Sequence, residues 1–271
     1  MGQVVLGVST VHAPFITGAP KMAPDDRRQR VYDGFSQLRE HVRRAEPDLI
    51  VAFSNEHITN FTPGHVSAHC VSLALENPAL PEFNLPKAGV PGDPEFARGL
   101  VSYAYANDFD LAYAAELELD HGTGLPLSFL TPDYDVPVVV ILQNVIFSPM
   151  ASVARSFRLG ELVTRYVTER ADNRRVALLG TGGVSHWVGN SRHGDINSEF
   201  DEWFLRQIAS GDYGPLVRLT QPEIDEAGDG ANEIRNWLAV AGGAQALTPS
   251  VVLEETFVPG WNTSAYQVVW Q

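Results

Sequence analysis

Eight histidines are present, and four of them stand where chemistry is usually done. His12 follows an apolar run in Ser9-Thr10-Val11-His12-Ala13-Pro14, and His57 follows a second run in Ser54-Asn55-Glu56-His57. His186 closes the turn Gly180-Thr181-Gly182-Gly183-Val184-Ser185-His186, and His121 lies in the polar turn Asp120-His121-Gly122-Thr123-Gly124. In an open α/β sheet, residues just past strand ends face the crevice where ligands bind. Imidazoles suit iron, zinc, copper and nickel, and two of them with one carboxylate leave room on an iron(II) for substrate and O2. Glu233, in Gly228-Asp229-Gly230-Ala231-Asn232-Glu233, is the candidate carboxylate. An acid at a helix start is also what the helix dipole favours, and histidines after strands are often hydrogen-bonded loop residues. From spacing alone both readings stay open.

The elements that must carry these residues are legible in the hydrophobic pattern. Short β-branched runs at Val4 to Ser9, Leu49 to Ser54, Val136 to Leu142 and Val176 to Gly180 predict central strands. Helical spacing covers Asp25 to Arg44, Pro94 to Asn107, Met150 to Arg170 and Asn197 to Ser210, with Asp25, Asp93 and Asn197 as N-caps. The tail returns to strand character over Val251 to Val258 and Ser264 to Trp270, with Pro259-Gly260 between them, and should close one sheet edge. The Pro-rich stretch from Asn77 to Pro94 reads as a long surface loop of the kind that borders active sites. The fold class is therefore α/β: one domain over residues 1–271, a mixed or largely parallel central sheet flanked by helices, and a site at the carboxyl ends of the strands.

Composition narrows the partners. With 33 acidic against 19 basic residues the formal net charge is -14, which provides no footprint for nucleic acid or anionic lipid. No apolar run approaches the ~20 residues of a membrane span. A single cysteine, Cys70, cannot form an internal disulfide, and the N-terminal residues lack a signal-peptide pattern. A cytoplasmic location is expected.

Several of these segments together resemble the class III extradiol ring-cleavage dioxygenases, the superfamily of the protocatechuate 4,5-dioxygenase β subunit. They are the segments around His12 and His57, Leu119 to Ser128, Gly180 to His186 with its continuation Asn197-Ser198-Glu199-Phe200-Asp201, Gly228 to Trp237, and Trp261-Asn262-Thr263. The resemblance spans nearly the whole chain. It implies an Fe(2+) cofactor held by His12, His57 and Glu233, with His186 as the acid/base beside a substrate hydroxyl and His121 as a further catalytic histidine. It implies addition of O2 to a dihydroxylated or aminohydroxylated aromatic ring, rearrangement to a lactone and hydrolysis to an open-chain product. Family members are homo-oligomers or pair with a small second subunit. Two positions depart from the pattern. Glu56 replaces a common aspartate and could orient His57, and Trp261 stands where a small polar residue helps hold the carboxylate of protocatechuate. A bulky indole argues against that substrate.

Substrate contacts are expected from Trp261, Asn262 and Thr181, and a carboxylated ring would need one of Lys21, Arg27, Lys87 or Arg192. Two histidines and a glutamate also make a catalytic zinc site, so a zinc hydrolase is one alternative and a non-catalytic binding relative another. The remaining residues read as structural. His41 belongs to a charged helix end, His65 and His69 to a loop-to-strand passage, and Cys70 to the apolar interior. His193 is also read as structural, with the pocket as an alternative. The Gly180 to Gly183 run lacks the features of a nucleotide loop.

Overall fold

Leu49, Val51 and Phe53 point to one side of a strand, Ile50 and Ala52 to the other, and all five are buried. Side chains alternate across a strand, so a strand apolar on both sides must lie inside a sheet covered on both faces. In the computed structural model, which describes residues 1–271, that strand is central.

The chain opens with β1 (Gln3–Thr10), the short α1 (Phe15–Gly18) and α2 (Asp25–Ala45). Next come β2 (Leu49–Ser54), β3 (His69–Ser72), a ribbon of β4 (Glu76–Ala79) and β5 (Ala88–Pro91), and α3 (Pro94–Ala106). Then follow β6 (Ala112–Ala114), α4 (His121–Leu130), β7 (Val138–Gln143), α5 (Val153–Glu169) and β8 (Arg175–Thr181). The last part holds α6 (Ser198–Ser210), α7 (Gly214–Val217), α8 (Gln221–Asp225), a 3-10 turn at Asp229–Glu233, α9 (Ile234–Gly243), β9 (Pro249–Val258) and β10 (Thr263–Trp270). Eight strands form one mixed sheet in the order β6-β3-β7-β2-β8-β1-β10-β9. Its middle, β7, β2, β8 and β1, is parallel, and β10 and β9 add antiparallel at one edge, as the tail's pattern predicts.

Two apolar layers hold the sheet. The larger lies under α3, α5, α6 and α9, with Leu159, Val163, Phe204, Trp237 and Leu238 packed against Val51, Phe53 and Leu178. The other lies under α2 and α4, where Leu38, Val42, Leu127 and Leu130 meet Ile50, Ala52 and Leu179. Removing a core side chain of the size of Phe53 costs about 3–5 kcal/mol. No helix is long and apolar enough to cross a membrane.

Some boundaries differ from expectation. Asp25 is the first residue of α2 and Pro24 the flanking one, so Asp25 and Asp26 favour the helix through its dipole rather than as caps. Ser152, whose hydroxyl accepts from Arg155, starts α5 at Val153 instead of Met150. β7 begins only after Pro137, which has no N–H for the ladder. The Asn77 to Pro94 stretch is not a plain loop: β4 and β5 pair antiparallel within it. Asp93 and Asn197 do cap α3 and α6.

Candidate metal centre

Parallel strands deliver their carboxyl ends to one edge, and the candidate residues arrive there from separate elements. His12 follows β1, His57 follows β2, and Gly182 to His186 follow β8. Glu233 ends the 3-10 turn that leads into α9. Its carboxylate is buried, with Oε1 3.2 Å from His12 Nε2 and 3.8 Å from His57 Nε2. The two ring nitrogens and a carboxylate oxygen all lie within 4.8 Å of one another. On the other side, Oε2 accepts from the Gly183 backbone at 2.6 Å and lies 3.7 Å from His186 Nε2.

A scaffold of amides fixes this carboxylate. Asn55 Nδ2 donates to Glu233 Oε1 at 3.2 Å, and Asn236, in the first turn of α9, donates to Asn55 Oδ1 and to the Thr181 carbonyl, each at 2.8 Å. The site is thereby tied to the ends of β2 and β8. Burial favours a neutral Glu233, but electrostatic attraction from the neighbouring His12 and His186 imidazoles with the His12 and His57 hydrogen bonds favours the carboxylate and pulls its pKa well below the usual value.

His57 is the open member, about a third exposed. Burial would lower its pKa, yet the hydrogen bonds and charges of Asp120 and Glu233 raise it to about 10. Carboxylates flank the ring on both sides, with Asp120 facing Nδ1 at 3.2 Å and Glu233 facing Nε2 at 3.8 Å, a setting that suits a divalent metal on Nε2. Asp120 has three partners. Oδ2 accepts from the His57 backbone at 2.5 Å as well as facing Nδ1, while Oδ1 caps α4 by accepting from Gly122 at 2.8 Å. His121, first residue of α4, has Nδ1 2.8 Å from Glu82 Oε1, which also accepts its backbone N–H. Its pKa is pushed down to about 4 by burial and by the charges of His57 and His12. For His186, burial likewise outweighs the attraction of Glu233 and moves the pKa down. Both rings are neutral near pH 7.

All five groups border one cavity of about 260 Å³, close to the lower end of small-molecule sites. Trp261 and Asn262 border it, and so does His193, which was read as structural. Thr181 does not: its hydroxyl is 2.9 Å from that of Ser54, inside the scaffold. None of Lys21, Arg27, Lys87 and Arg192 reaches the wall. Glu56 does not orient His57, because its carboxylate turns back to the Thr59 and Asn60 backbone. Asp120 takes that place. Its position just before the α4 start was the available signal, whereas Glu82 on the distant ribbon gave none.

The motif of catalytic LigB subunits of aromatic ring-opening dioxygenases matches residues 6–265. The chain belongs to this family. A 2,3-dihydroxyphenylpropionate/2,3-dihydroxicinnamic acid 1,2-dioxygenase of Burkholderia vietnamiensis is 27% identical to this LigB-family chain over 298 aligned positions, covering 93% of it and 91% of the relative. The enzyme of the same description from Cupriavidus necator is 25% identical, covering 88% of each. In fold, the LigB-family chain is similar to the crystal structure of an uncharacterized protein, JW3007, from Escherichia coli K12, with a TM-score of 0.62, 17% identity and 98% and 99% of the two chains covered. Membership makes the chain a ring-cleaving dioxygenase, in place of the hydrolase and the non-catalytic alternatives, and implies a metal cofactor for which His12, His57 and Glu233 form a fitting donor set.

Proposed function

We propose that this chain cleaves a catechol-type ring beside its hydroxyl pair with an Fe(2+) cofactor, held by His12, His57 and Glu233. The observation that carries the proposal is the division among the histidines around one buried carboxylate. Two place ring nitrogens with Glu233 in a metal-sized cluster; His186 borders the same cavity outside it, and His121 belongs to a second close set with His57 and Asp120, whose carboxylate is taken up by the His57 and Gly122 backbone N–H groups. When bound, iron(II) supplies electron density and adjacent positions for a catecholate and O2. The protein's own groups supply the proton chemistry. His186, neutral and with a ring nitrogen 3.7 Å from Glu233, takes the proton of a ring hydroxyl and later returns it. Glu82 at Nδ1 favours the His121 tautomer with a free Nε2 and supports positive charge when that nitrogen receives a proton. The indole of Trp261, its Nε1 donating to the Ala19 carbonyl at 3.2 Å, gives the ring an apolar wall, and Asn262 lies beside it.

The test is reconstitution. Protein stripped with a chelator is reloaded anaerobically with ferrous iron or zinc, then assayed for O2 uptake and ring opening with a panel of catechols, triols and aminophenols. Iron alone should restore turnover at about one ion per chain. Equal turnover with zinc refutes the assignment.

A further inference from the structure

Apart from the five groups already assigned, the cavity is walled largely by apolar side chains. Val11, Phe15, Ile146, Trp187, Val188 and Trp261 all contribute, and no lysine or arginine does. The other ionisable groups on the wall are Asp229 and His193. Asp229 accepts the Val188 and Gly189 backbone N–H groups, each at 2.8 Å, so its carboxylate is fixed in place. His193 has Nδ1 3.3 Å from the Val188 carbonyl. Arg192 is not part of the wall: its exposed guanidinium lies 3.8 Å from the centroid of the Trp187 ring, with its Nε 2.9 Å from Asp195.

A carboxylate brought against this wall loses water, finds no guanidinium or ammonium to replace it and only the single imidazole of His193, and meets the charge of Asp229. An apolar substituent loses nothing and covers Ile146 and Val188, which are otherwise 41% and 57% exposed. We infer that the cavity selects rings whose substituent is apolar and uncharged, and discriminates against a carboxylate on that substituent. This sets the chain apart from relatives described as acting on 2,3-dihydroxyphenylpropionate. The inference rests on the ring-opening reading above, but concerns binding rather than chemistry.

The decisive comparison removes the charge and adds only a methyl group: 2,3-dihydroxyphenylpropionate against its methyl ester. Anaerobic titration of the metal-loaded protein, followed by quenching of tryptophan fluorescence, gives both dissociation constants, and kcat/KM is measured in parallel. The ester should bind and turn over at least about tenfold better, within the range that one mismatched group gives. Arg192→Ala should leave the ratio unchanged, because Arg192 faces Trp187 and Asp195. An acid that binds as well as the ester overturns the inference, as does a loss of acid binding confined to Arg192→Ala or binding of neither ring. If the ester binds preferentially and neither ring is opened, the cavity inference stands and the assigned reaction falls.

Discussion

The imidazoles of His57 and His121 stack with centroids 4.1 Å apart and planes 19° from parallel, yet each is fastened to a different carboxylate. Asp120 faces His57 Nδ1 at 3.2 Å, and Glu82 faces His121 Nδ1 at 2.8 Å. Neighbouring rings thus sit in different electrostatic settings, and the proposed function gives them different tasks.

Neutralising each carboxylate should separate those tasks. Asp120→Asn weakens the partner of a metal ligand and is expected to lower metal affinity about 10–100-fold. Glu82→Gln keeps an acceptor but removes charge from beside His121, so metal content should hold while kcat falls roughly tenfold, a fraction of what a whole acid/base group contributes. Metal titration and turnover measured on both variants check this. Equal metal loss would place His121 among the ligands.

His57 and His186 provide a second contrast. His57→Ala leaves two protein ligands, and iron content should collapse with activity. His186→Gln should keep the metal and bind the ring while slowing turnover by about 10²–10⁴-fold. Full activity in His186→Gln would make that residue a bystander.

Gly230 constrains the His186 ring by contact. A Cβ there would lie 2.1 Å from His186 Nε2, far inside van der Waals distance, and the ring is largely enclosed. Gly230→Ala should displace the imidazole and reproduce the His186→Gln phenotype, with the ring's new position visible in a crystal structure. Unchanged turnover would mean that the reaction does not use this ring position.

Asp201 makes a prediction about pH. Its Oδ1 accepts from Ser185 at 2.7 Å, next to His186, and burial outweighs its hydrogen bonds to lift the pKa from 3.8 to about 6. The folded state therefore holds this proton more tightly than the unfolded chain. The stability it contributes is complete below about pH 4 and lost as pH rises through 6, on the order of 3 kcal/mol at about 1.4 kcal/mol per pKa unit. Asp201→Asn should flatten that part of the profile in urea denaturation between pH 4.5 and 7.5. Parallel curves for the two proteins would count against it.

The sequence makes the central sheet and the grouping of the candidate site legible for a physical reason. Strands buried on both faces leave uninterrupted apolar runs, and parallel strands put the residues after each run at one edge, so His12, His57 and His186 group together on the pattern alone. Glu233 needed the resemblance, because an acid at a helix start has an ordinary explanation. The supporting partners were not legible. Asn236 reaches Asn55 across 181 positions, and Glu82 reaches His121 from a ribbon whose strands carry Pro78 and Pro91 and little alternation. Thr181 was misplaced by one strand residue: it still belongs to β8, where its hydroxyl turns to Ser54 rather than to the cavity.

The ribbon of β4 and β5 forms a sheet of its own, apart from the eight strands that deliver His12 and His57. Mutations along it can therefore reach the surroundings of His121, through Glu82 and the Phe83 ring 4.9 Å away, and those of Asp120, because Ala79 bridges Leu119 just before it. Divergence among descendants of this chain can thus act on the partners of both His121 and His57 from strands that carry neither histidine.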